Sequence, residues 1–205
     1  MVDIDDEVMN LSRKWLPQLA NGSFDDPRLH LITGDAIQFL ESSASDPFDV
    51  LILDFPDAFE KGAEILYAAA FYEKCRSNMH SGSVLVTQSG PCDTGSQDCE
   101  LLERNVMTNM PDVFNHMGVM YHPMATWKAK PSARSDWTSL AFAFGDDVGQ
   151  GLTFDKGLVD EWLAREVSGL RYFSGDVYES ARWWPAELER ILRRSQQSAD
   201  GDENS

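Results

Sequence analysis

The chain has 205 residues, 42% of them hydrophobic, with 6 Trp and 11 Phe, enough apolar material for one folded domain with a substantial core. Its formal net charge of -17 disfavours nucleic acid and anionic membrane surfaces as partners and favours small cations, polycations included. Cys75, Cys92 and Cys99 are odd in number and lack CxxC spacing, and the four histidines are scattered, so neither a disulfide framework nor a metal site is expected.

Taken in chain order, "VDID" at 2–5 reads as the end of a strand, and "EVMNLSRKWL" carries apolar residues at helical spacing. "LHLIT" is a short strand, "AIQFLES" a helix, "DVLILD" a strand, "AAFYEKCRSNM" a helix and "SVLVTQS" a strand. Residues 97–113 give another helix. "VMYHPMAT" and "SLAFAFG" are two further strands, expected to form an antiparallel edge, separated by the basic loop "WKAKPSARSD". "KGLVDEWLAREV" and "AELERILRRS" are amphipathic helices. Alternation of strands and helices predicts a mostly parallel α/β sheet over residues 1–193, followed by a polar, disordered tail at 194–205. There is no internal repeat and no stretch long enough to span a membrane, and the acidic start does not suit a leader peptide; a cytosolic protein is expected.

The run "FDVLILDFPDAF" at 48–59 carries the chemistry. Val50–Leu53 reads as a strand buried on both faces, which puts Asp54 at the carboxyl end, the edge where open α/β sheets bind ligands. Asp57 follows across a proline. Capping of a turn or of the next helix explains the same residues without chemistry. A nucleotide-binding α/β domain ordinarily opens on a strand, a glycine-rich turn and a helix; no such unit is found here, since Gly82 and Gly90 are isolated.

Together, "VDIDDEVMNLSRKWLP", "DPRLHLITGDAIQFL", "FDVLILDFPDAF", "LYAAAFYEKC" and "GSVLVTQSGP" resemble, in order and spacing, the aminopropyltransferases of polyamine synthesis: the spermidine, spermine and thermospermine synthases. The likeness runs from about residue 2 to residue 145 and returns weakly at "LRYFSGDVY". It implies a Rossmann-like, class I methyltransferase-type sheet, here lacking the first strand and glycine-rich turn. It also implies transfer of an aminopropyl group from decarboxylated S-adenosylmethionine, a co-substrate rather than a resident cofactor, to putrescine or another polyamine, releasing methylthioadenosine. By resemblance, Asp54 is the catalytic carboxylate, Asp57 binds substrate ammonium groups, and Gln88 lines the site after its strand. Asp3 matches the acidic residue on the ribose hydroxyls, and Asp35, with the backbone of Ala36, the partner of the adenine. Trp127 occupies the nearest position to the tyrosine of the family's acceptor-side turn.

Each assignment has a plainer counterpart. Asp3 also reads as a terminal charge, Asp35 as the cap of the helix that follows, Gln88 as a solvent-facing strand end and Trp127 as a structural tryptophan. Pro56 precedes the second aspartate, where the family usually has a proline after it, so the segment from Asp54 to Leu66 is expected to differ in shape. Pro91 in "GP" and the "SDW" at 135–137 lean to the thermospermine type, "LRYFSGDVY" to the spermidine type, and the acceptor amine stays open. Asp3, Asp35, Asp54 and Gln88 are expected to converge at the strands' carboxyl ends. The missing front predicts weak stability or self-association, a homodimer included, and impaired transfer by this chain alone. A methyltransferase on the same sheet and a non-catalytic binding relative remain the alternatives.

Overall fold

A computed structural model describes residues 1–42, 46–56, 62–91, 108–123, 137–145, 155–170 and 172–181. Contacts divide the chain into two compact units, Met1–Pro47 and Phe48–Ser205.

In the first unit, β1 (Val2–Asp3) pairs in parallel with β2 (Ile32–Thr33), with Asp3 opposite Thr33. The strand expected over "LHLIT" is thus only two residues long. Between them run α1 (Asp6–Trp15) and the short α2 (Pro17–Ala20). Asp5 caps α1, its carboxylate accepting from the Glu7 and Val8 amides, and Pro17 starts α2 where no amide hydrogen is needed. The chain then turns through Asn21 and Gly22, both at positive φ, before β2 and α3 (Ala36–Ser42).

Among the described residues, the second unit carries a four-stranded sheet in the order β3-β4-β6-β5, formed by Phe48–Leu53, Met79–Pro91, Trp137–Phe144 and His116–Pro123. As expected, "DVLILD" and "SVLVTQS" are adjacent parallel strands, with Leu51 opposite Leu85 and Leu53 opposite Thr87. β5 and β6 are antiparallel to each other, also as expected. β6, however, inserts between β4 and β5, so the terminal strand β5 runs in the same direction as β3 and β4.

Period-two alternation decides which face is covered. Leu53, Ser83, Leu85 and Thr87 are buried, and α4 (Ala69–Ser77) packs against β4 with Phe71, Tyr72 and Cys75 buried. On the other face Val50 is 55% and Ile52 75% exposed. The expectation that β3 is buried on both faces is therefore corrected: one face carries the core. Ile52→Thr, which keeps the branched β-carbon, is expected to change stability by no more than about 0.5 kcal/mol in urea denaturation. A loss above roughly 1.5 kcal/mol would mean that this face is covered in solution.

Tyr72 is fully buried, and its hydroxyl has no hydrogen-bond partner among the described residues. Thr87 is its neighbour, and the Thr87 hydroxyl gives its own proton to the Gln88 carbonyl at 3.2 Å. Burial pushes the Tyr72 phenol well above its ordinary value of 10.0 and pushes the Cys75 thiol from 9.0 up to about 12. Both groups lose protons more readily when unfolded. Their contribution is complete below about pH 9 and falls as pH rises toward 12, because the unfolded chain then binds fewer protons. Tyr72→Phe removes an unsatisfied buried hydroxyl and keeps the ring. It should leave stability at pH 7 equal or higher and shrink the loss between pH 9 and 11, read from denaturation midpoints. A destabilised variant at pH 7 would show that the hydroxyl has a partner after all.

Beyond the sheet, α5 (Lys156–Glu166) is capped by Asp155 and packs against α6 (Gly175–Ala181). Gly175 is required there: a β-carbon would lie 2.2 Å from the Lys156 carbonyl oxygen. The expected helices at 186–195 and over most of 97–113 fall outside the described residues, as does the tail.

Candidate functional site

The first unit brings two of the anticipated residues together. The Gly34 amide donates to the Asp3 carbonyl at 2.9 Å, so Asp3 and Asp35 leave neighbouring parallel strands at their carboxyl ends. The Asp3 carboxylate accepts from the Asp5 amide at 2.9 Å, and the Asp35 carboxylate accepts from the Ile37 amide at 2.7 Å. The latter bond is an N-cap of α3, which Ala36 opens. Each carboxylate thus uses one oxygen in a local turn. A carboxylate has about four lone-pair sites, so capping and ligand binding are compatible.

The second unit brings together Asp54 and Gln88. The parallel ladder ends at the pair Leu53 and Thr87, which makes Asp54 the first residue beyond it, solvent-exposed at the strand's carboxyl end. Gln88 is the next residue on β4. Immediately after it the β4–β6 register slips, Gln88 facing Leu140 and Gly90 facing Ser139, so Ser89 is an extra residue in the ladder.

The Gln88 amide nitrogen donates to the Phe55 carbonyl and to the Tyr67 hydroxyl, the latter at 3.2 Å. Tyr67 in turn donates its proton to the Pro56 carbonyl at 3.0 Å, and its own carbonyl accepts from the Asn109 side chain at 2.7 Å. Tyr67 ends a 3-10 turn at Ala63–Tyr67 and is only 3% exposed. Phe55 packs edge-on against Tyr67 at 6.5 Å and against Phe71 at 5.6 Å. The segment after Asp54 is therefore tied down by side chains where the strand ladder has stopped. Tyr67 and Phe71 lie in the run "LYAAAFYEKC" that carries part of the family likeness, but neither their local pattern nor that of Asn109 announces this role.

Asp57 and Trp127 lie outside the described residues. No cluster of three or more His, Cys, Asp or Glu that could hold a metal occurs among the described residues. No helix among them is long and apolar enough to cross a membrane.

Residues 1–130 match the spermine/spermidine synthase domain. Over 116 residues the chain is 34% identical to a polyamine aminopropyltransferase of Pyrobaculum neutrophilum, a stretch covering 55% of this chain and 40% of that protein. Over 90 residues it is 40% identical to polyamine aminopropyltransferase 1 of Pseudomonas aeruginosa, covering 44% and 31%. The chain spans less than half the length of these curated relatives. Among solved structures, a spermidine synthase in complex with the transition state analogue AdoDATO matches with a TM-score of 0.73 at 23% identity, over 93% of this chain and 59% of that one. The spermidine synthase of Thermotoga maritima matches with a TM-score of 0.70 at 21% identity, over 93% and 57%. At these identities the structural likeness is one of fold, and it supports the Rossmann-like, methyltransferase-type α/β class.

Proposed function

The chain belongs to the spermine/spermidine synthase family, and from that membership we propose that it carries the site for aminopropyl transfer from decarboxylated S-adenosylmethionine to a primary amine of putrescine or a longer polyamine. The observation that carries this reading is Asp54. It stands exposed where the parallel ladder ends, with the next two carbonyls held in place behind it.

The chemistry asks for a carboxylate at that point. An alkylammonium has a pKa of about 10, so near neutral pH the attacking nitrogen carries a proton in its lone pair. Asp54 would accept the amine as a hydrogen-bond donor, aim it and take up the proton. The amine's lone pair then forms a bond to the sulfonium-bound carbon of the aminopropyl arm. The carbon–sulfur bond breaks, its electron pair passes to sulfur, and neutral methylthioadenosine leaves. Asp57 would hold a second ammonium group, Gln88 would border the acceptor, and Trp127 would stand on the acceptor side. Asp3 and Asp35 would take the ribose hydroxyls and adenine of the donor, with the Ala36 backbone beside the base. The strongly acidic chain suits a doubly charged acceptor and a cationic donor.

Titration calorimetry with methylthioadenosine, followed by product analysis with putrescine and decarboxylated S-adenosylmethionine, tests the reading. Binding together with spermidine formation at an impaired rate is expected. Binding without product would identify a non-catalytic relative, and the absence of both binding and product would refute the proposal.

A further inference from the structure

We propose that Tyr67 is a positioning residue for aminopropyl transfer: with the Gln88 amide, its hydroxyl clamps the Phe55 and Pro56 carbonyls and so fixes the direction in which Asp54 presents its carboxylate. The inference rests on the reading of Asp54 as the transfer carboxylate, although the clamp itself does not.

The geometry confines Asp54 from both sides. Leu53, its predecessor, is buried and held in the ladder opposite Thr87. Its successors Phe55 and Pro56 have consecutive carbonyls engaged by Gln88 and Tyr67. A residue has only two soft backbone torsions, so fixing the chain on each side of Asp54 leaves its Cα–Cβ vector little freedom. An exposed carboxylate at the end of a strand otherwise has no reason to hold one direction.

The clamp depends on the hydroxyl oxygen of Tyr67, which donates to one group and accepts from another at once. The ring is wedged edge-on against Phe55, and Asn109 holds the Tyr67 main chain through its carbonyl, so the oxygen cannot drift from the loop. Phenylalanine at 67 would keep the wedge and lose both bonds. Proline at 56 has no amide hydrogen and contributes only its carbonyl to any anchor, which the Tyr67 proton occupies.

Two measurements on Tyr67→Phe decide the matter, with the thermal transition as a check on folding. Hydrogen exchange should quicken at the Asp54 and Phe55 amides while the core of β4 is unchanged. Turnover should fall on the order of tenfold with the KM for the amine unchanged within about twofold. The same substitution placed on Asp54→Asn should cost no further activity, because it acts only through that carboxylate. An equal loss in both backgrounds would show a general structural role and overturn the proposal, as would unaltered exchange with unaltered turnover. Should the unsubstituted chain prove inactive, the reading of function fails, and exchange at Asp54 and Phe55 alone decides whether the clamp exists.

Discussion

Asp54→Asn is expected to reduce turnover by roughly two to four decades while the thermal transition stays where it was. The substitution keeps size and hydrogen-bonding shape and removes only the charge and the basicity. Asp54 is exposed, and the clamp on the following residues uses main-chain carbonyls, so the fold has no stake in the carboxylate itself. A primary amine must shed a proton to attack, and the neutral amide of asparagine can accept a hydrogen bond but cannot take that proton. Raising pH should rescue the variant partly, since a larger fraction of the amine then arrives already neutral. The check is a pH–rate profile of both proteins with putrescine. Turnover within a few-fold of the parent at neutral pH would reduce Asp54 to a strand-end residue with no part in proton transfer.

The same strand shows what could be read from residues alone and what could not. The parallel pairing of β3 with β4 was legible because two β-branched apolar runs ended on polar residues at comparable points. The position of Asp54 followed from that ending. Burial on both faces did not follow. An apolar run is compatible with either outcome, and the exposure of Val50 and Ile52 depends on what else the chain places over them. The order of the last two strands was equally hidden, because a hydrophobic pattern records that a strand exists and not where it inserts. Asp35 was legible both as a helix cap and as a ligand group; the structure shows the cap.

Tyr67 was illegible for another reason. It sits in a single 3-10 turn, too short to show a period, and its partners Pro56, Gln88 and Asn109 lie 11, 21 and 42 residues away. Contacts of that range leave no local trace. The short helix at Gly175–Ala181 does carry a local signal: Ser174 caps it, accepting from the Val177 amide at 3.3 Å. A glycine at its first position reads as a breaker unless the close approach to the Lys156 carbonyl is known.

Phe71→Ala should be the most destabilising truncation around the site, by about 3 to 5 kcal/mol in chemical denaturation. Phe71 is 2% exposed, on the face of α4 that covers the sheet, and its ring meets Phe55 at 5.6 Å and Tyr72 at 6.2 Å. Removing it opens a cavity between a helix and the segment that follows β3. The surroundings are poorly placed to collapse into it, since the Phe55 carbonyl is tied to Gln88 and Tyr72 is enclosed. Domain stability is typically only about 5 to 15 kcal/mol, so this one change would remove a large share of it. Phe71→Leu, which fills most of the volume, should cost well under half as much. The two variants also separate packing from chemistry: if Phe55 rests on Phe71, the alanine variant should quicken exchange at Phe55 along with its loss of stability, while leucine should leave it slow. A loss below about 1 kcal/mol for Phe71→Ala would mean that α4 does not seat on the sheet through this ring, and the support inferred for the Asp54 segment would fall with it.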